Sequence, residues 1–181
     1  MQVKTLADAF YETLKDLYFA EKQSVRALKK STKRAKHPAL IEAFQKHADE
    51  SAIHVERLTH VFESISKQPR AKTCEAMQGL TAEMDEDVED FGGTDAGDDV
   101  LIGCAQAMEH YEIARYGLLH SWAGKLGYTE AQTLLAETLA EEKHTDHLLT
   151  KIASQLPHER QMSGTGPSAK EPRSKTPASN N

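Results

Sequence analysis

Glutamates stand inside the apolar stripes of several long helical segments of this chain. Between residues 101 and 119, apolar residues recur at steps of three and four, which is the spacing of one face of an α-helix. Glu112 falls inside that stripe, and Glu109 lies one turn before it. A carboxylate in a helix seam is costly unless it is paired, protonated or bound to a metal ion. The segment therefore either carries ligands or faces a shallow, hydrated seam.

Four segments have this helical spacing over the length of a long helix. Thr5 suits the N-cap of the first segment, Pro38 the first turn of the second, and Tyr128 or Thr129 the start of the fourth. The segments span about residues 5–34, 38–66, 98–125 and 129–156. The sequence thus predicts an all-α fold, an antiparallel four-helix bundle with a long crossover between its second and third helices. The crossover covers residues 67–99 and has room for a shorter helix at about 73–91.

The remaining segments carry no clear chemistry. The acidic run before residue 99 fails the calcium-loop pattern, because the positions that require Gly and Glu hold Asp90 and Ala96 when counted from Asp85. A solvated acidic face is therefore expected there. After residue 156 the composition changes to Ser, Gly, Pro, Thr, Lys and Asn without periodicity. We expect residues 1–156 to form one domain and residues 157–181 to be a disordered tail.

Composition excludes several functional classes. The formal charge is −6, with 28 acidic and 22 basic residues, which argues against a general nucleic-acid binder. Cys74 and Cys104 form no metal-binding pair, so a reducing compartment is the natural setting. No secretion signal or membrane-spanning stretch is visible. We therefore expect a cytoplasmic protein with no membrane partner.

An internal repeat places one glutamate near the middle of each long segment. A shift of 91 positions superimposes Glu21 on Glu112 and Glu50 on Glu141. Midpoints of antiparallel helices stack at one height, so the four carboxylates should converge in the core. Unpaired carboxylates would repel one another there, whereas two divalent cations would neutralise them.

Nearby histidines complete a candidate ligand set for two metal ions. Glu50 and His54 lie one turn apart, and Glu141-x-x-His144 has the spacing that di-iron helical bundles use. Carboxylates with histidine suit iron or manganese. Because one helix face spans neighbouring positions, several residues could replace or supplement these ligands. They are Glu109, Glu142 and Asp146, with His47 as a ligand or a hydrogen-bonded neighbour.

Four motifs taken together resemble the YciE/YciF family of ferritin-like bacterial proteins. They cover residues 16–23 (DLYFAEKQ), 47–58 (HxxESxxHVERL), 109–116 (EHYEIAxY) and 139–146 (LAEEKxxD). The resemblance implies a stress-associated homodimer with a ferritin-like fold over residues 4–156. The wider ferritin-like superfamily implies a di-metal site, which this chain matches at Glu21, Glu112 and Glu141 with His144. It departs at Glu50, where histidine comes four residues later rather than three.

The leading hypothesis is a di-metal carboxylate protein that handles Fe(II), oxygen or peroxide. Glu21 and Glu112 would bridge two ions, which the Glu50–His54 and Glu141–His144 pairs would cap. Two other interpretations stay open. The chain could be a metal-free helical dimer that acts as a structural or interaction protein, or a metal buffer without catalysis.

Overall fold

The computed structural model describes residues 4–157, which form five α-helices and no β-strand. No helix in this part of the chain is long and apolar enough to cross a bilayer. The helices are α1 (Leu6–Arg34), α2 (Pro38–Ser64), α3 (Glu75–Phe91), α4 (Gly97–Leu126) and α5 (Thr129–Ala153).

Local side-chain chemistry fixes where the long helices begin and end. Thr5 and Asp8 form a capping box at the start of α1, as each side chain accepts a hydrogen bond from the other residue's backbone N–H. The turn from α4 to α5 depends on Gly127, whose φ of 73° lies in the left-handed region that glycine adopts without strain.

The start of α2 is capped from a distant helix. No side chain of its own N-terminal region caps it. Instead, the carboxylate of Asp98, in the first turn of α4, accepts hydrogen bonds from the backbone N–H groups of Lys36 at 2.9 Å and His37 at 2.7 Å. Asp98 therefore joins the turn between α1 and α2 to the beginning of α4.

The four long helices pack in a closed ring of neighbours around one core. Helix α1 packs against α2 and α4, and α5 packs against the same two helices. Helix α3 lies outside this ring, against α4 and α1. Buried apolar side chains fill the two ends of the core, and aromatic contacts such as Tyr18 with Phe62 lie at its edge.

The observed boundaries differ from the expected ones by a few residues. Helix α2 ends at Ser64 and α5 at Ala153, earlier than the sequence predicted, and α3 lies where the short crossover helix was expected. Cys104 is only half-buried, and its Sγ atom lies 3.4 Å from Asp87 Oδ2. The predicted tail lies outside the described residues, apart from Pro157.

The Asp98 cap predicts a measurable loss of stability. Asp98→Ala removes the acceptor for two backbone N–H groups at a helix start, so the free energy of unfolding should fall by about 1–2 kcal/mol. Urea unfolding measures this change. Asp95→Ala is the matched control, because Asp95 is exposed and lies in the preceding loop, so it should change stability by less than about 0.5 kcal/mol. Equal stability of the two variants would contradict the cap.

Candidate metal centre

Each long helix contributes acidic or imidazole side chains to one buried layer in the middle of the core. These residues are no more than 2 % exposed, although glutamate is almost never fully buried unless it is paired. Helical spacing explains how they share a face: the two histidines of α2 are two turns apart, and the two glutamates of α4 are one turn apart. The layer consists of Glu21 from α1, His47 and His54 from α2, Glu109 and Glu112 from α4, and Glu142 from α5.

The first group of converging ligand atoms comes from α1, α2 and α5. His54 Nδ1 lies 3.0 Å from Glu142 Oε1 and 3.5 Å from Glu21 Oε1. Neither contact has the geometry of a hydrogen bond, and Nδ1 has no other partner in the described structure. The nitrogen and the two carboxylates therefore face a common space.

The second group comes from α2, α4 and α5. His47 Nε2 lies 2.7 Å from Glu109 Oε1 and 3.7 Å from Glu142 Oε2. In each group, one ligand atom from every member lies within 4.8 Å of the others, which is close enough for a single cation to contact all three. Glu142 belongs to both groups, with a different oxygen towards each histidine.

Two further buried side chains hold the carboxylates in place. Tyr116 Oη donates a hydrogen bond of 2.5 Å to Glu21 Oε1, and Ser24 Oγ donates one of 2.8 Å to Glu112 Oε1. Glu112 belongs to neither group of three. Burial, together with the charges of Glu21, Glu142 and Glu109, raises the pKa of its carboxyl group.

Each histidine of the layer also faces a carboxylate nearer the surface. His54 Nε2 is 2.9 Å from Glu141 Oε2, and His47 Nδ1 is 3.9 Å from Glu50 Oε2. The Glu141 and Glu50 side chains are 42 % and 29 % exposed. A hydrogen-bonded outer carboxylate such as Glu141 orients a metal-binding imidazole and fixes its tautomer, whereas His47 Nδ1 hydrogen-bonds with Thr145 Oγ1 at 3.4 Å.

Burial and mutual repulsion strongly perturb the ionisation of the layer. Loss of hydration raises the pKa of the carboxyl groups of Glu21, Glu112 and Glu142, and the neighbouring negative charges add to the effect at Glu112. Burial alone would lower the pKa of His54, but its contacts with Glu142 and Glu21 raise it to about 10. Without a cation, the layer must therefore take up protons to limit its negative charge.

The donor atoms of the layer fit divalent cations. Five of them are buried and have no hydrogen-bond partner within the described structure: Glu21 Oε2, Glu109 Oε2, both carboxylate oxygens of Glu142, and His54 Nδ1. Buried polar atoms normally have partners, so a set of five is unusual. A mixture of carboxylate oxygen and imidazole nitrogen is the donor set that iron and manganese bind in helical proteins.

The structure brings together five of the eight side chains that the sequence proposed as ligands. These are Glu21, His54, Glu109, Glu112 and Glu142, and His47 joins them. Glu50 and Glu141 remain outside, each against a histidine of the layer. His144 is exposed and lies outside the layer, while Asp146 hydrogen-bonds with Gln106.

A shift of one residue along α5 accounts for the difference. The buried face of α5 includes Thr138, Glu142 and Thr145, at steps of four and three, which turns Glu141 and His144 away from the core. The two threonines were the sequence signal for Glu142, because they lie four residues before it and three after it and so mark the same helix face. Under the same 91-residue shift, Ser51 corresponds to Glu142 and His54 to Thr145. The repeat therefore pairs buried positions with buried positions here, but the paired residues are of different types.

Comparisons with known proteins agree on one family. The family model described as "Domain of unknown function (DUF892)" matches residues 5–162. Protein YciF of Escherichia coli (strain K12) is 45 % identical over 155 residues, covering 84 % of this chain and 93 % of YciF.

Solved structures give the same result. The crystal structure of the E. coli stress protein YciF has a TM-score of 0.81 at 42 % identity, covering 84 % of this chain and 97 % of that one. YcfI of Rhodopseudomonas palustris, described as a candidate structural protein, has a TM-score of 0.80 at 35 % identity, covering 82 % of this chain and 95 % of that one. The chain therefore belongs to the DUF892 family, together with the stress protein YciF.

Proposed function

We propose that this chain is a ferritin-like di-metal carboxylate protein that binds two iron or manganese ions inside a four-helix bundle. The observation that carries the proposal is the position of Glu142, whose two oxygens face the two groups of three ligands. Carboxylates that bridge two ions in this way hold them about 3.5–4 Å apart in di-metal sites. A homodimer, as the family resemblance implies, would have twice the 20.1 kDa mass of the chain.

Charge supports two ions rather than one. Glu21, Glu109, Glu112 and Glu142 carry four negative charges when ionised, and all four are buried. Two divalent cations would neutralise them and leave both histidines uncharged, as metal ligation requires. A single divalent cation would leave two negative charges in a core where each unpaired ion costs several kcal/mol.

The residues divide naturally between the two ions. Glu21 and His54 would hold one ion and His47 and Glu109 the other, with Glu142 shared between them. Tyr116 would keep Glu21 oriented through its hydrogen bond. Glu112, which accepts a hydrogen bond from Ser24, would help to balance the positive charge of the two ions.

Three protein ligands for each ion favour a reactive site over a closed structural one. Structural sites supply a complete ligand set, whereas reactive sites leave a coordination position open. Under the 91-residue shift, Ser51 and Thr145 correspond to Glu142 and His54, so a complete repeat would supply additional donors at these two positions. The buried hydroxyl of Ser51 has no hydrogen-bond partner in the described structure. Iron or manganese bound here would supply electrons to dioxygen or peroxide, a chemistry that suits a relative named a stress protein.

A metal-free structural role is the second candidate. The contact of His47 with Glu109, and that of His54 with Glu142, would compensate part of the buried charge if both imidazoles were protonated. YcfI is described as a candidate structural protein, which is consistent with this alternative. The two candidates differ in whether the purified protein retains metal at the layer.

Metal content separates the two candidates. Protein purified without an affinity tag should contain about two ions of iron or manganese per chain, because each of the two groups offers three ligand atoms. Glu142→Gln should bring the content below about one ion per chain, since it removes a negative charge from both groups. Mass spectrometry of the metals measures both values.

His144→Ala is the matched control for that experiment. His144 lies two residues further along the same helix and is exposed, so its removal should leave the metal content unchanged. If His144→Ala lost metal and Glu142→Gln retained it, the ligands would be those that the sequence pattern first suggested. If the wild-type protein held no metal at the layer, the structural role would be favoured.

The buried charge also predicts how the stability of the metal-free protein depends on pH. Burial raises the pKa of Glu112 in the folded protein, so the folded state keeps a proton that the unfolded chain releases above about pH 4.3. The stability that this proton contributes is complete below the unfolded pKa and is lost as the pH rises towards the folded value. Stability should therefore fall as the pH rises above about pH 5, by at most about 1.4 kcal/mol per pH unit for this group.

Urea unfolding in the presence of a chelator measures this dependence. Glu112→Gln removes the titrating group and keeps the hydrogen-bonding shape, so its stability should fall less steeply with pH than that of the wild type. Glu86→Gln, at an exposed position of α3, should behave as the wild type does. Parallel curves for Glu112→Gln and the wild type would show that Glu112 is ionised in the folded protein throughout this range.

A further inference from the structure

An ion that reaches the buried layer must pass a ring of closely packed helices. All six side chains of the layer are almost completely buried. In the described part of the chain, the layer meets partly exposed acids where His47 faces Glu50 and where His54 faces Glu141. These two contacts are the candidate routes between solvent and the ligands.

Glu141 is the better connected of the two acids. Its Oε2 atom is 2.9 Å from His54 Nε2, which is hydrogen-bonding distance, whereas Glu50 is 3.9 Å from His47. Glu141 is also the more exposed, and its neighbour in sequence is Glu142. Glu141 and Glu142 therefore lie on opposite sides of the His54 ring, Glu141 towards solvent and Glu142 towards the core.

A positive side chain is already paired with Glu141. Arg57 Nη1 lies 2.5 Å from Glu141 Oε2 and donates a 2.7 Å hydrogen bond to Thr138 Oγ1, while Nη2 lies 3.3 Å from Glu141 Oε1. Arg57 Nε is also 3.5 Å from Glu137 Oε2. Two carboxylates therefore attract a cation to this position, and the guanidinium neutralises one of their two negative charges.

We propose that Glu141 is the uptake site for divalent cations, where it binds an incoming ion in exchange for Arg57 before His54 and Glu142 take it over. The proposal rests on the di-metal function proposed above. The exchange needs no redox step: Glu141 releases a singly charged guanidinium and accepts a doubly charged ion, and Arg57 swings towards solvent and Glu137. Arg57 thus acts as a gate that closes the route when no cation is present.

An uptake role and a supporting role for Glu141 predict different results. If Glu141 served only to hold the ring of His54, its loss would weaken equilibrium binding. If it captures ions, its loss slows binding while the final occupancy is retained. Glu141→Gln separates the two, because glutamine keeps an oxygen that can accept the hydrogen bond from His54 but loses the charge that attracts a cation.

Stopped-flow mixing of the metal-free protein with Co(II) tests the proposal, since the visible bands of bound Co(II) report the rate and the final amount. Glu141→Gln should bind as much Co(II) at equilibrium as the wild type, but on the order of ten times more slowly, as expected when electrostatic attraction at a site is lost. Arg57→Gln should bind faster than the wild type. Glu130→Gln is the matched control and should stay within about twofold of the wild-type rate, because Glu130 is exposed and lies about three turns before Glu141 on α5, where its charge is largely screened from the uptake site.

Each other result overturns the proposal. A wild-type rate in Glu141→Gln, or reduced occupancy at an unchanged rate, would leave Glu141 as a support for His54 only. Slow binding in Glu50→Gln together with normal binding in Glu141→Gln would place uptake at the other acid. If the wild-type protein bound no Co(II) at equilibrium, the di-metal function would itself fail, and this result is visible before any rate is compared.

Discussion

The burial of four glutamates in one layer of the core is the constraint on which the rest of this structure depends. Along α1, the buried stripe runs from Phe10 and Leu14 to Glu21 and then back to Leu28, so a polar layer lies between two apolar ones. The other long helices show the same sequence of apolar, polar and apolar positions. The apolar ends provide the stability that permits an unfavourable centre, and the centre provides the chemistry.

Histidine and outer carboxylates turn this charged layer into an ordered site. His47 and His54 each direct one ring nitrogen to the layer and the other towards a partly exposed acid. The same two residues therefore belong to the ligand set and to its contact with the surface. Because Glu141 and Glu142 are adjacent on α5, a single helical turn contributes to both functions. In the proposed function, ligand binding and ion access would therefore depend on the same few side chains.

Helical periodicity was sufficient to predict the helices and the presence of a polar layer, because buried positions recur at steps of three and four over long segments. Glu21 and Glu112 were found through the 91-residue repeat, and both are buried. The repeat pointed to Glu141 on α5, whereas the buried residue is its neighbour Glu142, which lies four residues after Thr138 and three before Thr145. The sequence left His47 open as a ligand or a hydrogen-bonded neighbour, while the bond of Tyr116 to Glu21 depends on a contact between helices, which a single sequence does not reveal.

Electron paramagnetic resonance of the Mn(II)-loaded protein tests the central claim most directly. Two Mn(II) ions that share Glu142 lie close enough for their electron spins to couple, so the account predicts the spectrum of an exchange-coupled pair at full loading. The Glu142→Gln protein should lose that signal. Six-line spectra of isolated Mn(II) ions at every loading, or no bound Mn(II), would contradict a shared di-metal centre.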